Sequence, residues 1–203
     1  MAINCSNVLD SLKTLDWVTI KKTIGNNHST IIGAFASWFV KTSGVATVIE
    51  GAPSFSTKGS KAFKSDGLFC EDEAVVGILE VEGSRHDHTT EKLGKHFRSN
   101  SPILANLRFA IYVAYPESPT GRGERRNFPP PLTDNDFQRF CKLSREHPQK
   151  CIVVITLHKL FERNLSEVRK KTEYYSGHIA SASARVYRNG NVGESIQLFG
   201  ASG

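Results

Sequence analysis

Between residues 30 and 42, Ile31, Phe35 and Trp38 recur at the three-to-four spacing that gathers apolar side chains on one helical face, and Gly44 follows as a stop. Residues 7–15 predict a shorter helix. After Gly44 the period changes. Residues 45–50, 64–70 and 74–82 are short runs rich in Val, Ile, Leu and Phe, which predicts three antiparallel strands, the last two joined by the acidic turn Glu71-Asp72-Glu73. The intervening SFSTKGSK reads as an exposed loop. Residues 88–98 predict a helix with Leu93 and Phe97 facing inward. The nearly continuous apolar run RFAIYVAY, residues 108–115, is what a central strand covered on both faces requires.

The rest of the chain alternates in the same way. A Pro- and Arg-rich connection over 116–131 leads to a helix over 134–146, where Thr133 and Asp136 form a capping-box pattern and Phe137, Phe140 and Cys141 an apolar stripe. CIVVITL, residues 151–157, predicts another buried strand, and residues 159–171 a basic amphipathic helix. RNGN, residues 188–191, has the composition of a tight hairpin turn. The expectation is therefore an α/β domain spanning 1–203, with a central mixed sheet flanked by helices.

Composition narrows the field modestly. A chain of 203 residues with 39% hydrophobic and 23% charged positions holds one ordinary core. No apolar run is long enough to span a bilayer, and the N-terminus lacks a basic stretch followed by an apolar one, which predicts a cytoplasmic protein with no membrane partner. Cys5, Cys70, Cys141 and Cys151 have neither metal-ligand spacing nor disulfide density and read as reduced. The net charge of +6 favours polyanions. Its basic residues cluster at Lys58, Lys61 and Lys64, at Arg122, Arg125 and Arg126, and at Arg169, Lys170 and Lys171; the first two groups are candidate nucleic-acid contacts.

The chemistry concentrates in SDGLFCEDEAVVGILEVEG, where carboxylates stand at strand positions that should be apolar. Counting from the turn sets Asp66 across from about Ile78, with Glu80 its diagonal neighbour on the same face and Glu82 on that face too. Side chains so placed can converge on a hard cation such as Mg²⁺, with the Val81 carbonyl and a phosphate oxygen completing the set. Such a metal activates water and stabilises charge on a phosphate, which is the chemistry of phosphodiester hydrolysis. On spacing alone the same acids serve equally well as solvated strand-end carboxylates or as partners of nearby lysines. His86, Asp87 and His88 offer a general base or a transition-metal ligand, against an ordinary polar turn; Glu50 is an outlying carboxylate; His28 and His158 have no partner the sequence identifies.

The order helix, strand, strand, strand, helix, strand, with Asp66 opening the second strand and Glu80-Val81-Glu82 closing the third, resembles the PD-(D/E)XK nuclease superfamily, which includes many type II restriction endonucleases. The resemblance covers about residues 30–115. It implies a restriction-endonuclease-like αβββαβ core with residues 116–203 as an extension of helix and β-hairpin. It also implies Mg²⁺, replaceable by Mn²⁺, on Asp66 and Glu80, a DNA substrate, and a homodimer where the cut site is palindromic. Ser65 stands in place of the family's Pro, and Glu82 in place of its Lys, as in some restriction endonucleases. A lysine migrated to the next helix, Lys92 or Lys95, would then supply the missing cation. The rival expectation is a nuclease-like module that has lost catalysis and only binds nucleic acid.

Overall fold

The computed structural model describes residues 3–22, 28–43, 47–49, 53–55, 63–72, 74–83, 86–115, 132–164 and 174–200. Helices α1 (Val8–Leu12), α2 (Trp17–Lys22) and α3 (His28–Ser43) come first. They are followed by β1 (Thr47–Ile49), β2 (Pro53–Phe55), β3 (Phe63–Lys64), β4 (Gly67–Glu71), β5 (Ala74–Glu82), α4 (His86–Arg98) and β6 (Phe109–Ala114). The chain continues through α5 (Asp134–Glu146), β7 (Cys151–Asn164), β8 (Tyr174–Arg188), β9 (Asn191–Val192) and β10 (Ile196–Phe199).

The architecture is α/β. An open mixed sheet runs β1-β4-β5-β6-β7-β8-β10, with β9 added beside β8, while β2 and β3 pair separately. β5, β6 and β7 are parallel neighbours; the other pairings are antiparallel. Parallel neighbours need crossovers, and α4 and α5 lie on the two connections. Among the described residues no helix is long and apolar enough to cross a membrane.

Two apolar layers clamp the sheet. On one face α1–α3 deliver Val8, Leu12, Ile31, Phe35 and Trp38 onto Phe69, Leu79, Phe109 and Val153; on the other, α4 and α5 deliver Leu93, Phe97, Phe140 and Leu143 onto Leu68, Ile78, Tyr112 and Val154. Every residue of β6 is buried, which is why its sequence does not alternate. The predicted capping box at Thr133 and Asp136 is present. The RNGN turn also forms, with Asn189 and Gly190 both at positive φ, as a two-residue hairpin needs.

Several expectations change. The N-terminal helix stops at Leu12, and α2, which the periodicity did not announce, follows. The run over 64–70 divides, because Lys64 pairs with Pro53 in the small sheet and β4 starts at Gly67. Ser54 and Phe55, read as loop, belong to β2. The basic helix over 159–171 is overturned where it is described: residues 159–164 prolong β7, pairing with Tyr174–Ile179 beyond a bulge at His158/Lys159. A ready partner strand outweighs a weak helical period there; residues 165–171 lie outside the described residues. Cys5 and Cys151 are joined as a disulfide, Cα to Cα 5.8 Å. They are 146 residues apart, so no spacing rule could pair them. Cys70 and Cys141 are free and half-buried.

β5 also carries a bulge that matters for the site. Val75 and Ile78 face the α4/α5 layer, whereas Val76 and Leu79 face the other, which strict alternation forbids. Gly77 sits at this irregularity: a Cβ there would lie 2.3 Å from the Phe109 ring, itself stacked on Phe69. Gly77→Ala should therefore cost about 1–3 kcal/mol of overpacking, read as a lower urea midpoint with an unchanged denaturant slope; an unaltered midpoint would show that the ring yields freely.

Candidate active site

The acids gather at the carboxyl ends of β5 and its parallel neighbours, where open α/β sheets hold ligands. Gly67 pairs with Leu79, so extending the register by one residue sets Asp66 opposite Glu80. This replaces the diagonal relation expected from the sequence. Counting back from the turn failed because the ladder shifts between Phe69 and Cys70, an insertion that composition does not reveal.

Glu80 is the unusual residue. It is 2% exposed, on a strand otherwise lined with Val, Ile and Leu. Lys92 Nζ donates to its Oε2 at 2.7 Å, while Oε1 is buried with no hydrogen-bond partner among the described residues. Burial, partly offset by Lys92 and reinforced by the charge of Asp66, pushes the carboxyl up to about 8. An unsatisfied buried carboxylate oxygen is costly; it is the oxygen that a cation, or a proton, would satisfy.

Asp66 is more open. The Val81 N–H donates to its Oδ2 at 2.7 Å, which ties the carboxylate to the end of β5. His28 Nε2 lies 3.4 Å from the same oxygen. Glu82 turns elsewhere: its Oε2 accepts from Thr89 Oγ1 at 3.1 Å and its Oε1 from the Gly83 N–H at 2.9 Å. Among the described residues no group of three or more His, Cys, Asp or Glu side chains is arranged to hold a metal. Asp66 and Glu80 are thus brought together electrostatically, and Glu82 is engaged by α4.

Helix α4 organises this end through one stripe. Thr89, Lys92 and His96, spaced three and four apart, share a helical face; Thr89 meets Glu82 and Lys92 meets Glu80. Behind them His96 Nδ1 faces the Lys92 carbonyl at 2.9 Å, so Nδ1 carries the proton and the Ser65 hydroxyl donates to Nε2, 3.0 Å away. Burial holds the imidazole down to about 4, hence neutral. Tyr112 pairs in register with Glu80; burial, and then the nearby acids led by Glu82, raise its hydroxyl far above the ordinary value, so it stays protonated. Lys95, the other candidate cation, is directed to Glu91 at 2.9 Å along the helix and is not brought to Glu80.

No family model, curated protein or solved structure matches this chain.

The other sequence candidates distribute as follows. Lys64 lies on β3; Lys58, Lys61, Glu50, Arg122, Arg125, Arg126, Arg169, Lys170 and Lys171 lie outside the described residues. Asp87 and His88 are exposed on the first turn of α4. Sequence reasoning missed Tyr112 and His96, and it named His28 without a role and Ser65 only as the residue in place of the family's Pro. The 89-92-96 polar spacing inside an amphipathic helix could have found His96, and a hydroxyl in the middle of the buried run RFAIYVAY could have found Tyr112. Nothing local marks His28, which meets Asp66 only through the packing of α3.

Proposed function

We propose that the protein is a metal-dependent nuclease that hydrolyses phosphodiester bonds in DNA, with Asp66 and Glu80 as its acidic centre. The observation that carries the reading is Glu80, a carboxylate buried in an apolar strand beside a second carboxylate, with one oxygen that has no partner among the described residues. The donor set fits a hard cation: Mg²⁺ or Mn²⁺ commonly uses one or two carboxylates and takes its remaining oxygens from water and a phosphate. When bound, such an ion supplies Lewis-acid stabilisation of the phosphate and a more acidic water. The chain's own residues do the rest. The Val81 N–H holds Asp66 in place, and Lys92 supplies positive charge beside Glu80, the part the resemblance leaves open when Glu82 stands for Lys. Thr89 ties the Glu82 carboxylate to α4, turned away from the Asp66 and Glu80 pair. With the separate β2–β3 pair set aside, the order α3, β1, β4, β5, α4, β6 is compatible with a restriction-endonuclease-like core. A homodimer is the assembly that a palindromic cut site would call for.

The test is incubation with supercoiled plasmid in Mg²⁺, in Mn²⁺ and in chelator. Nicking or linearisation in either metal that the chelator abolishes is the expected result; discrete fragments indicate site-specific cutting. The second reading, a module that binds nucleic acid without cutting it, rests on Lys92, which already neutralises Glu80 with no ion. It predicts intact plasmid in every metal alongside measurable binding.

A further inference from the structure

A second feature shares the face and the end of the sheet that carry Glu80 and Glu82. Across the strands Glu80 is in register with Tyr112, then Val154, then Arg185; one residue pair further along, Glu82 is in register with Ala114, Thr156 and Ser183. A cleft of about 160 Å³ opens at the far end of these two rows, lined by Phe137, Val154, Thr156, His158, Ser183 and Arg185 among others. Its walls on β7 and β8 stand two and three inter-strand steps of about 4.8 Å from β5, roughly 10–14 Å across the sheet.

We propose that this cleft binds one nucleotide of the same strand that is cut at Asp66 and Glu80, a proposal that rests on the nuclease reading for its substrate. The chemistry of the lining is divided as a nucleotide's is. The Arg185 guanidinium lies 5.3 Å from the centre of the Phe137 ring, offering a flat cationic surface to a phosphate or to the face of a base. His158 Nε2 lies 3.5 Å from the Ser183 hydroxyl, and Thr156 adds a third polar group to the rim, while Val154 and Phe137 give an apolar floor. The volume falls below the roughly 300 Å³ at which pockets begin to enclose a drug-sized ligand. That excludes a dinucleotide cofactor and suits a single phosphate-sugar or base. Even at the 3.4 Å axial rise of a fully stacked strand, about four nucleotides cover a separation of about 14 Å, so one continuous strand reaches both places.

The experiment measures anisotropy of a fluorescein-labelled single-stranded 12-mer oligodeoxynucleotide in chelator, over a salt series. The proteins are wild type, Arg185→Ala and Ser183→Leu, each checked for wild-type circular dichroism. Arg185 is exposed, so its variant keeps the fold even if the leucine at Ser183 disturbs it. Arg185→Ala should weaken binding roughly 10-fold and reduce the salt slope by about 0.7, the share of one single-strand phosphate. Ser183→Leu should weaken binding to a similar degree with an unchanged slope. Equal affinities for all three proteins, or no binding by wild type, overturn the proposal. Plasmid cleavage separates the two claims. Cutting with unaltered binding in both variants removes the cleft and keeps the nuclease; binding lost in the variants with no cutting by wild type keeps the cleft as a nucleotide site and removes the hydrolase.

Discussion

Glu80→Gln is expected to make the protein more stable than wild type at pH 8, by up to about 4 kcal/mol or on the order of 10 °C in Tm, and to lose that advantage as the pH falls towards 4.5. The carboxyl has an ordinary value of 4.5 and is held at about 8 in the fold, first by burial. Between those limits the folded protein keeps a proton that the unfolded chain has released, so folding grows less favourable as pH rises. At 1.36 kcal/mol per pH unit the whole window is worth at most roughly 5 kcal/mol, of which about 4 kcal/mol is expressed at pH 8, where the folded carboxyl is half ionised; the contact with Lys92, which favours the charged form, is already contained in that raised value. Glutamine keeps the shape and removes the titration. Millimolar Mg²⁺ should narrow the gap by stabilising ionised Glu80 in the wild type alone. A difference between the two proteins that does not vary with pH would show that Glu80 titrates normally.

His96 acts with the opposite sign. Its imidazole drops from 6.5 to about 4 on burial, so the unfolded chain binds the extra proton, and its contribution is present above pH 6.5 and lost as the pH falls towards 4. Between about pH 4.5 and 6.5 the two opposed titrations nearly cancel, so from these two groups wild-type stability should show a broad flat top there and fall on either side. Glu80→Gln exposes the His96 limb alone, rising from pH 4 to 6.5 and then level.

The sequence made α3, α5 and β6 legible because each is a long segment with one clear signal: a helical period, a capping box, an unbroken apolar run. The end of β7 was not legible. Residues 159–164, KLFERN, do not alternate as a half-buried strand does, and only pairing with β8, ten or more residues later, makes them strand. The site divides in the same way. Carboxylates in an apolar strand are visible in any reading of SDGLFCEDEAVVGILEVEG, but their register is not, since the bulge near Gly77 turns a diagonal neighbour into a direct one. Lys92 could be distinguished from Lys95 only once α4 had been docked, because residues three apart on a helix differ in facing by some 60°. His28 comes from a different element altogether, and its approach to Asp66 is a product of the tertiary fold.

The second large effect concerns the acids themselves. If Asp66 and Glu80 hold the ion, removing either forfeits several kcal/mol of charge stabilisation on the phosphate, which at 1.36 kcal/mol per tenfold is on the order of 10³ in rate. Glu82→Ala should cost far less, since Glu82 is occupied by Thr89 and the Gly83 amide. The most direct test is the plasmid-cleavage rate in Mg²⁺ for wild type, Asp66→Ala, Glu80→Ala and Glu82→Ala measured side by side. Cutting by wild type that falls to background in the first two variants and persists in the third is the predicted result. Undiminished cutting by Glu80→Ala, or no cutting by wild type in any divalent metal, would contradict the account.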